Sequence, residues 1–213
     1  MPDNDHADPR RDAEDNADAL ARSYDIAPYE SIAHRLTHPS RTAALARLMG
    51  MTPAPIETCR VLEVGCAAGG NLLPMAATLP RARFVGIDLS ARQIEVARAD
   101  AAAAGLTNVE LRHASIADVG STESEKFDFV IAHGVYSWVP ATVRHSLLAG
   151  MRRLLAPRGI GYVSYNVYPG CHALEAVRQI GTYFADRSDS PVATIDNLRE
   201  VSRAFSLMSR RNG

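Results

Sequence analysis

A chain of 213 residues, 46% hydrophobic and 22% charged, is long enough for one globular domain with a substantial core. Its 23 basic and 24 acidic side chains leave a net charge of −1, which excludes a global electrostatic pull toward nucleic acid or anionic lipid. The three cysteines Cys59, Cys66 and Cys171 have neither paired nor metal-type spacing, and no apolar run approaches the ~18 residues of a bilayer span, so a cytoplasmic protein without disulfides or a membrane segment is expected.

Residues 1–22 are rich in Asp, Asn, Ala and Arg with hardly any large apolar side chain, which predicts a disordered acidic tail. Residues 23–58 read as an N-terminal helical cap, opening where Tyr24, Pro28 and Tyr29 come together. Within it, Thr37 is placed to cap a helix over 39–49 with Ala44, Leu45, Leu48 and Met49 on one face, and Gly50 ends it. Pro53 and Pro55 stiffen the connection that follows.

From 59 to 170 the hydrophobic period alternates. Strands are predicted at 60–65, 83–88, 108–113, 127–132 and 159–165, with helices at 69–79, 90–104 and 141–155. This α/β pattern predicts a Rossmann-like, doubly wound, mainly parallel sheet of order 3-2-1-4-5, with a ligand crevice where strands one and four diverge. Beyond Gly170 only helical patterns follow, over 171–185 and 194–208, so the terminal antiparallel strand pair usual in such folds is expected to be missing. Residues 171–213 then read as C-terminal helices opening a truncated segment.

The stretch R-V-L-E-V-G-C-A-A-G-G at 60–70 carries the strongest chemical signal. Val61, Leu62 and Val64 suit an interior strand, and Gly65 permits a tight turn where a side chain would obstruct a ligand. Glu63 is costly in such a run unless a positive or hydrogen-bonding group meets it; it reads either as a ligand contact or as a carboxylate bracing the turn. Asp88 ends the second strand, 23 positions beyond Gly65, where an acid accepts hydrogen bonds from ribose hydroxyls; alternatively it caps the next helix beside Ser90. Together these features describe a nucleoside pocket. His133 and Asn166 follow strands four and five at the crevice; each reads either as a contact to ligand or as a hydrogen-bonded structural group. His34, His38, His113, His145 and His172 are scattered without ligand-type pairing, and no metal site is expected.

E-V-G-C-A-A-G at 63–69, G-I-D-L-S at 86–90 and H-A-S-I-A-D at 113–118 resemble motifs of the class I S-adenosylmethionine-dependent methyltransferases. Y-D-I-A-P-Y-E-S at 24–31, T-H-P at 37–39, G-G-N-L-L-P-M-A at 69–76, A-H-G-V-Y-S-W-V-P at 132–140 and Y-V-S-Y-N-V-Y-P-G at 162–170 resemble, more closely, bacterial protein-lysine methyltransferases that carry a methyltransferase regulatory domain. The resemblance implies S-adenosyl-L-methionine as cofactor, held by Glu63, Gly65, Cys66, Ala67, Gly69, Asp88, Leu89, Gln93, Ser115, Ile116, His133 and Gly134. It implies transfer of a methyl group to a protein lysine or a small amine, with Tyr24, Tyr29, Tyr136, Trp138, Asn166 and Tyr168 as substrate contacts and no role for nucleic acid or membrane. The chain departs from the pattern at Ala67, where the class has a glycine, and in the missing terminal strands and regulatory domain. A non-catalytic cofactor-binding or scaffold fragment and an NAD-dependent dehydrogenase are the alternative readings.

Overall fold

The computed structural model describes residues 31–115 and 125–185. The predicted tail, Tyr24, Tyr29, Ile116 and the helix predicted over 194–208 lie outside the described residues. The chain divides into two units, one ending at Tyr165 and one beginning at Asn166.

The first described helix, α1 (Pro39–Leu48), begins at a proline whose missing N–H costs nothing at that position. Its cap is not Thr37, as predicted, but His38, whose Nδ1 accepts from Ser40 N at 3.2 Å. A turn over the preceding residues draws Thr37 inward, where it is buried and its one hydroxyl proton is shared between His34 O at 2.8 Å and Asn71 Oδ1 at 3.1 Å. The buried face is also displaced from the predicted one. Small residues, Thr42, Ala43 and Ala46, turn inward with Pro39, while Leu45, Leu48 and Met49 are exposed. Gly50 closes the helix with φ +82°, a conformation that a side chain disfavours.

Then come β1 (Arg60–Val64), α2 (Leu72–Thr78), β2 (Arg83–Asp88), α3 (Ala91–Ala103), β3 (Val109–His113), β4 (Phe127–Ala132), α4 (Ala141–Leu154) and β5 (Leu155–Val163). The sheet runs β3-β2-β1-β4-β5, and every pairing among the described strands is parallel. Pro74 falls in the first turn of α2, where no N–H is required. Ser90 caps α3 by accepting from Gln93 N at 3.1 Å.

Alternation along the strands sorts the core into two layers. Val61, Phe84 and Phe129 pack with Leu72, Met75 and Ala76 of α2 and Ile94 and Ala97 of α3. Leu62, Val64, Val85 and Val130 pack with Leu147, Met151 and Leu154 of α4 on the other face. Each fully buried side chain of this size contributes about 1.5–3 kcal/mol.

The fifth strand starts earlier than residue 159, its predicted start. It leaves α4 directly at Leu155, with a register shift between Phe127 and Phe129 on the neighbouring strand. A Cβ at Gly159 would lie 2.9 Å from Phe127 O, so glycine lets the irregular stretch pass close to β4. In the second unit, α5 (His172–Ala185) follows a turn in which the Tyr168 ring meets the His172 ring edge-on at 4.6 Å. No described helix is long and apolar enough to cross a membrane.

Candidate cofactor site

Parallel strands bring their carboxyl ends to one edge, and a cavity of about 360 Å³ opens there, at the tips of β1, β2 and β4. Of the residues predicted for the cofactor, Glu63, Gly65, Cys66, Ala67, Asp88, Leu89, Gln93, His133 and Gly134 line it. Gly69 and Ser115 are not among the described lining residues. The sequence reading missed Ser31, Ile32, His34, Asn71, Val135 and Val139, which also line it.

The turn after β1 is built around left-handed backbone. Gly65 has φ +73°, and a Cβ there would lie 2.5 Å from Val135 Cγ2. Ala67 has φ +47° despite its side chain, and its N–H donates to Asp88 Oδ2 at 2.8 Å. The other Asp88 oxygen, Oδ1, accepts from Ser90 N at 2.9 Å. Asp88 therefore braces the glycine turn and the start of α3 together, while each carboxylate oxygen keeps further acceptor capacity.

Glu63 is 3% exposed and does not touch the turn amides; its partner is Asn71, whose Nδ2 donates to Oε1 at 2.6 Å. Its neighbour in register on β2 is Gly86. The second oxygen, Oε2, is buried with no hydrogen-bond partner among the described residues. Burial, opposed by the Asn71 hydrogen bond and reinforced by the Asp88 charge, pushes the Glu63 carboxyl up to about 7. Burial, with Glu63 and Asp88 nearby, raises the Cys66 thiol well above its usual range, so it is no ready nucleophile.

Residues 31–37 form a strap along one wall. Gly70 N donates to Ser31 Oγ at 2.8 Å, and His34 N donates to Asn71 Oδ1 at 2.8 Å. The His34 ring packs against His133, with centroids 3.8 Å apart and planes tilted by 41°. Nδ1 of His133 is buried without a partner among the described residues. Burial and the neighbouring His34 lower the pKa of His133, so the pair resists carrying two protons.

The predicted substrate residues are not all gathered here. Trp138 lines the cavity and is 57% exposed. Tyr136 is not among the described lining residues; its ring meets Tyr165 edge-on at 6.0 Å and carries the Arg144 guanidinium 5.6 Å above it. Asn166 and Tyr168 belong to the second unit.

A parallel sheet of this order, a glycine turn after β1 and an acid at the tip of β2 make a Rossmann-like domain built for a nucleoside cofactor. Residues 61–159 match the family described as methyltransferase domain. That stretch is thus a methyltransferase domain, of the class I type that the resemblance of its motifs implied. It is similar to PKMT2 from Rickettsia typhi, solved in complex with AdoHcy, with 34% identity and a TM-score of 0.73 over 84% of this chain and 34% of that one. Two uncharacterized proteins of Rickettsia prowazekii are also similar. RP789 is 44% identical over 75% of this chain and 29% of its own length, and RP028 is 37% identical over 77% and 65%. The chain therefore spans less than two thirds of each. The match runs against the dehydrogenase reading.

Proposed function

We propose that this site transfers a methyl group from S-adenosylmethionine to a protein amine, the side chain of a lysine, in the cytoplasm. The observation that carries the reading is the pairing, in one cavity, of a buried carboxylate whose Oε2 lacks a partner with a second carboxylate already braced at the tip of β2. The similarity to PKMT2 supports the lysine substrate.

The residues present fit the cofactor. The missing Cβ at Gly65 lets the turn pass close to Val135 at the cavity wall, and the Glu63 oxygen lacks the donor that an ammonium would supply. Asp88 has lone pairs left for the two ribose hydroxyls after holding the Ala67 and Ser90 amides. When bound, the cofactor supplies an electrophilic methyl on a sulfonium, which needs alignment and exclusion of water rather than a metal or a covalent residue. The lowered pKa of His133 keeps that wall from becoming doubly positive, so it does not repel a cation. Trp138 presents an exposed aromatic face at the cavity, suited to a cationic or methylated ammonium by about 0.5–2 kcal/mol.

Calorimetric titration with S-adenosylmethionine and with NAD, followed by an assay of labelled methyl incorporation into protein, tests the reading. The expected result is binding of the former only, a loss of about tenfold or more in Asp88→Ala, and label retained on lysine. Binding without turnover would favour a cofactor-binding module, and NAD binding alone would overturn the assignment.

A further inference from the structure

We propose that Asn71 is a positioning residue that ties the strap over residues 31–37 to the Glu63 carboxylate, holding Glu63 for the cationic end of the ligand only while the strap is seated. The inference rests on the reading of the cavity as a S-adenosylmethionine site.

One side-chain amide makes both connections. Asn71 Oδ1 receives the His34 N–H at 2.8 Å and the Thr37 hydroxyl at 3.1 Å, both from the strap, while Nδ2 donates to Glu63 Oε1 at 2.6 Å. The His34 N–H on Oδ1 fixes which way the amide faces, because a flipped amide would set N–H against N–H and turn its carbonyl toward the Glu63 carboxylate. The strap therefore determines that Glu63 is met by a donor. If the strap lifts, Asn71 loses both anchors and its side chain is free to rotate away from the carboxylate.

Two further contacts make the strap a single seated element. Ser31 Oγ takes the Gly70 N–H, and the His34 ring lies on the His133 ring. Position 70 has no room for a side chain: a Cβ there would collide with the Ser31 carbonyl. Since Ser31, Ile32 and His34 are also cavity wall, seating the strap completes the pocket while it aims the acid. The titratable groups that line the cavity with Glu63 are Asp88 at the tip of β2, Cys66 in the turn, His34 on the strap and His133 after β4; of these, Asp88 and Cys66 interact with Glu63. Of the influences on the Glu63 carboxyl, burial and the Asp88 charge favour the neutral form, and the Asn71 donor favours the ionised one. Removing that donor shifts ionisation of Glu63 to higher pH.

Two measurements on the full chain test this. The first follows hydrogen exchange of the His34 amide without ligand; the second follows the affinity for S-adenosylmethionine between pH 6 and 9. In Asn71→Ala the His34 amide should lose its protection, affinity at neutral pH should fall by about tenfold, and the pH at which affinity rises should move upward. A merely structural role would lower affinity without moving that midpoint. Gly70→Ala leaves Asn71 and Glu63 chemically intact but displaces Ser31, and it should reproduce both the lost protection and the lost affinity. Thr37→Val, which removes a single donor to Asn71, serves if either of the others fails to fold and should give a smaller change of the same kind. Unchanged His34 exchange in Asn71→Ala, or wild-type affinity and pH midpoint in the variants, would overturn the proposal. Failure of the wild-type chain to bind S-adenosylmethionine would instead refute the site reading, leaving the exchange measurement to judge the tie between Asn71 and the strap.

Discussion

Glu63 links the stability of the fold to pH. Its carboxyl titrates near 7 in the folded chain against an ordinary value of 4.5, so the folded state binds the proton more tightly than the unfolded one. The resulting stabilisation is fully present below pH 4.5 and is lost as pH rises through about 7. Glu63→Gln has no such titration. Thermal melts at pH 5.5 and 8.5 should therefore converge in the variant, removing a difference of about 2 kcal/mol; an unchanged pH dependence would refute the assignment. Ala67 is the other strained position. Its φ of +47° costs a side-chain-bearing residue about 1–2 kcal/mol, and glycine recovers this less its own loss of chain entropy. Ala67→Gly should raise stability by about 0.5–1 kcal/mol in urea unfolding. From sequence, Ala67 read only as a departure from the glycine of the class. The structure adds a backbone cost, and handedness at one residue leaves no mark on hydrophobic pattern. The roles of the two acids were likewise only half legible, because which carboxylate braces the turn depends on side-chain partners rather than on spacing.

At the scale of elements, the strands at 83–88 and 127–132 agree with their predicted bounds, because short apolar runs between turn signals leave few alternatives. The inward face of α1 was not legible. Its leucines dominate the hydrophobic period, yet alanine and threonine meet the core and the larger side chains stay in solvent. His38 as a cap was missed for a related reason, since imidazole is outside the usual capping set. Burial lowers the pKa of His38, so its contribution is present above its ordinary value of 6.5 and is lost as pH falls through the lower folded value. His38→Ala should cost about 1 kcal/mol at pH 8 and correspondingly less once wild-type His38 is protonated, as measured by urea midpoints. Asn108 secures the crossover from α2 to β2, with the two N–H groups of Nδ2 shared among the carbonyls of Ala76, Leu79 and Ala82 at 3.1, 3.1 and 3.0 Å. Asn108→Asp would turn that donor into a charge facing three carbonyls, and a loss of about 2–3 kcal/mol is expected in the same measurement.

For the molecule as a whole, the order 3-2-1-4-5 was legible because alternating strand and helix allow few right-handed windings. The floor of the site followed from it, as strand tips meet wherever parallel strands are adjacent. The strap did not follow. Its contacts join residues 37 and 39 positions apart, through polar atoms of an isolated histidine and serine that no periodicity marks. Ligand binding should stabilise the assembled unit by about 2.7 kcal/mol at a hundredfold excess over Kd, a rise of roughly 5–10 °C in Tm for a chain of this size. Differential scanning calorimetry should show that rise in the wild-type chain and little of it in Asp88→Ala.

The two amides gripping Asp88 bear on which sugars the pocket would accept. A carboxylate anchored at both oxygens cannot swivel to follow a mobile partner, so it offers a rigid fork suited to vicinal hydroxyls. On the proposed reading, 2′-deoxy and 3′-deoxy analogues each forfeit one prong without any compensating adjustment. Discrimination between ribose and deoxyribose would then be built into the apoprotein rather than acquired on contact.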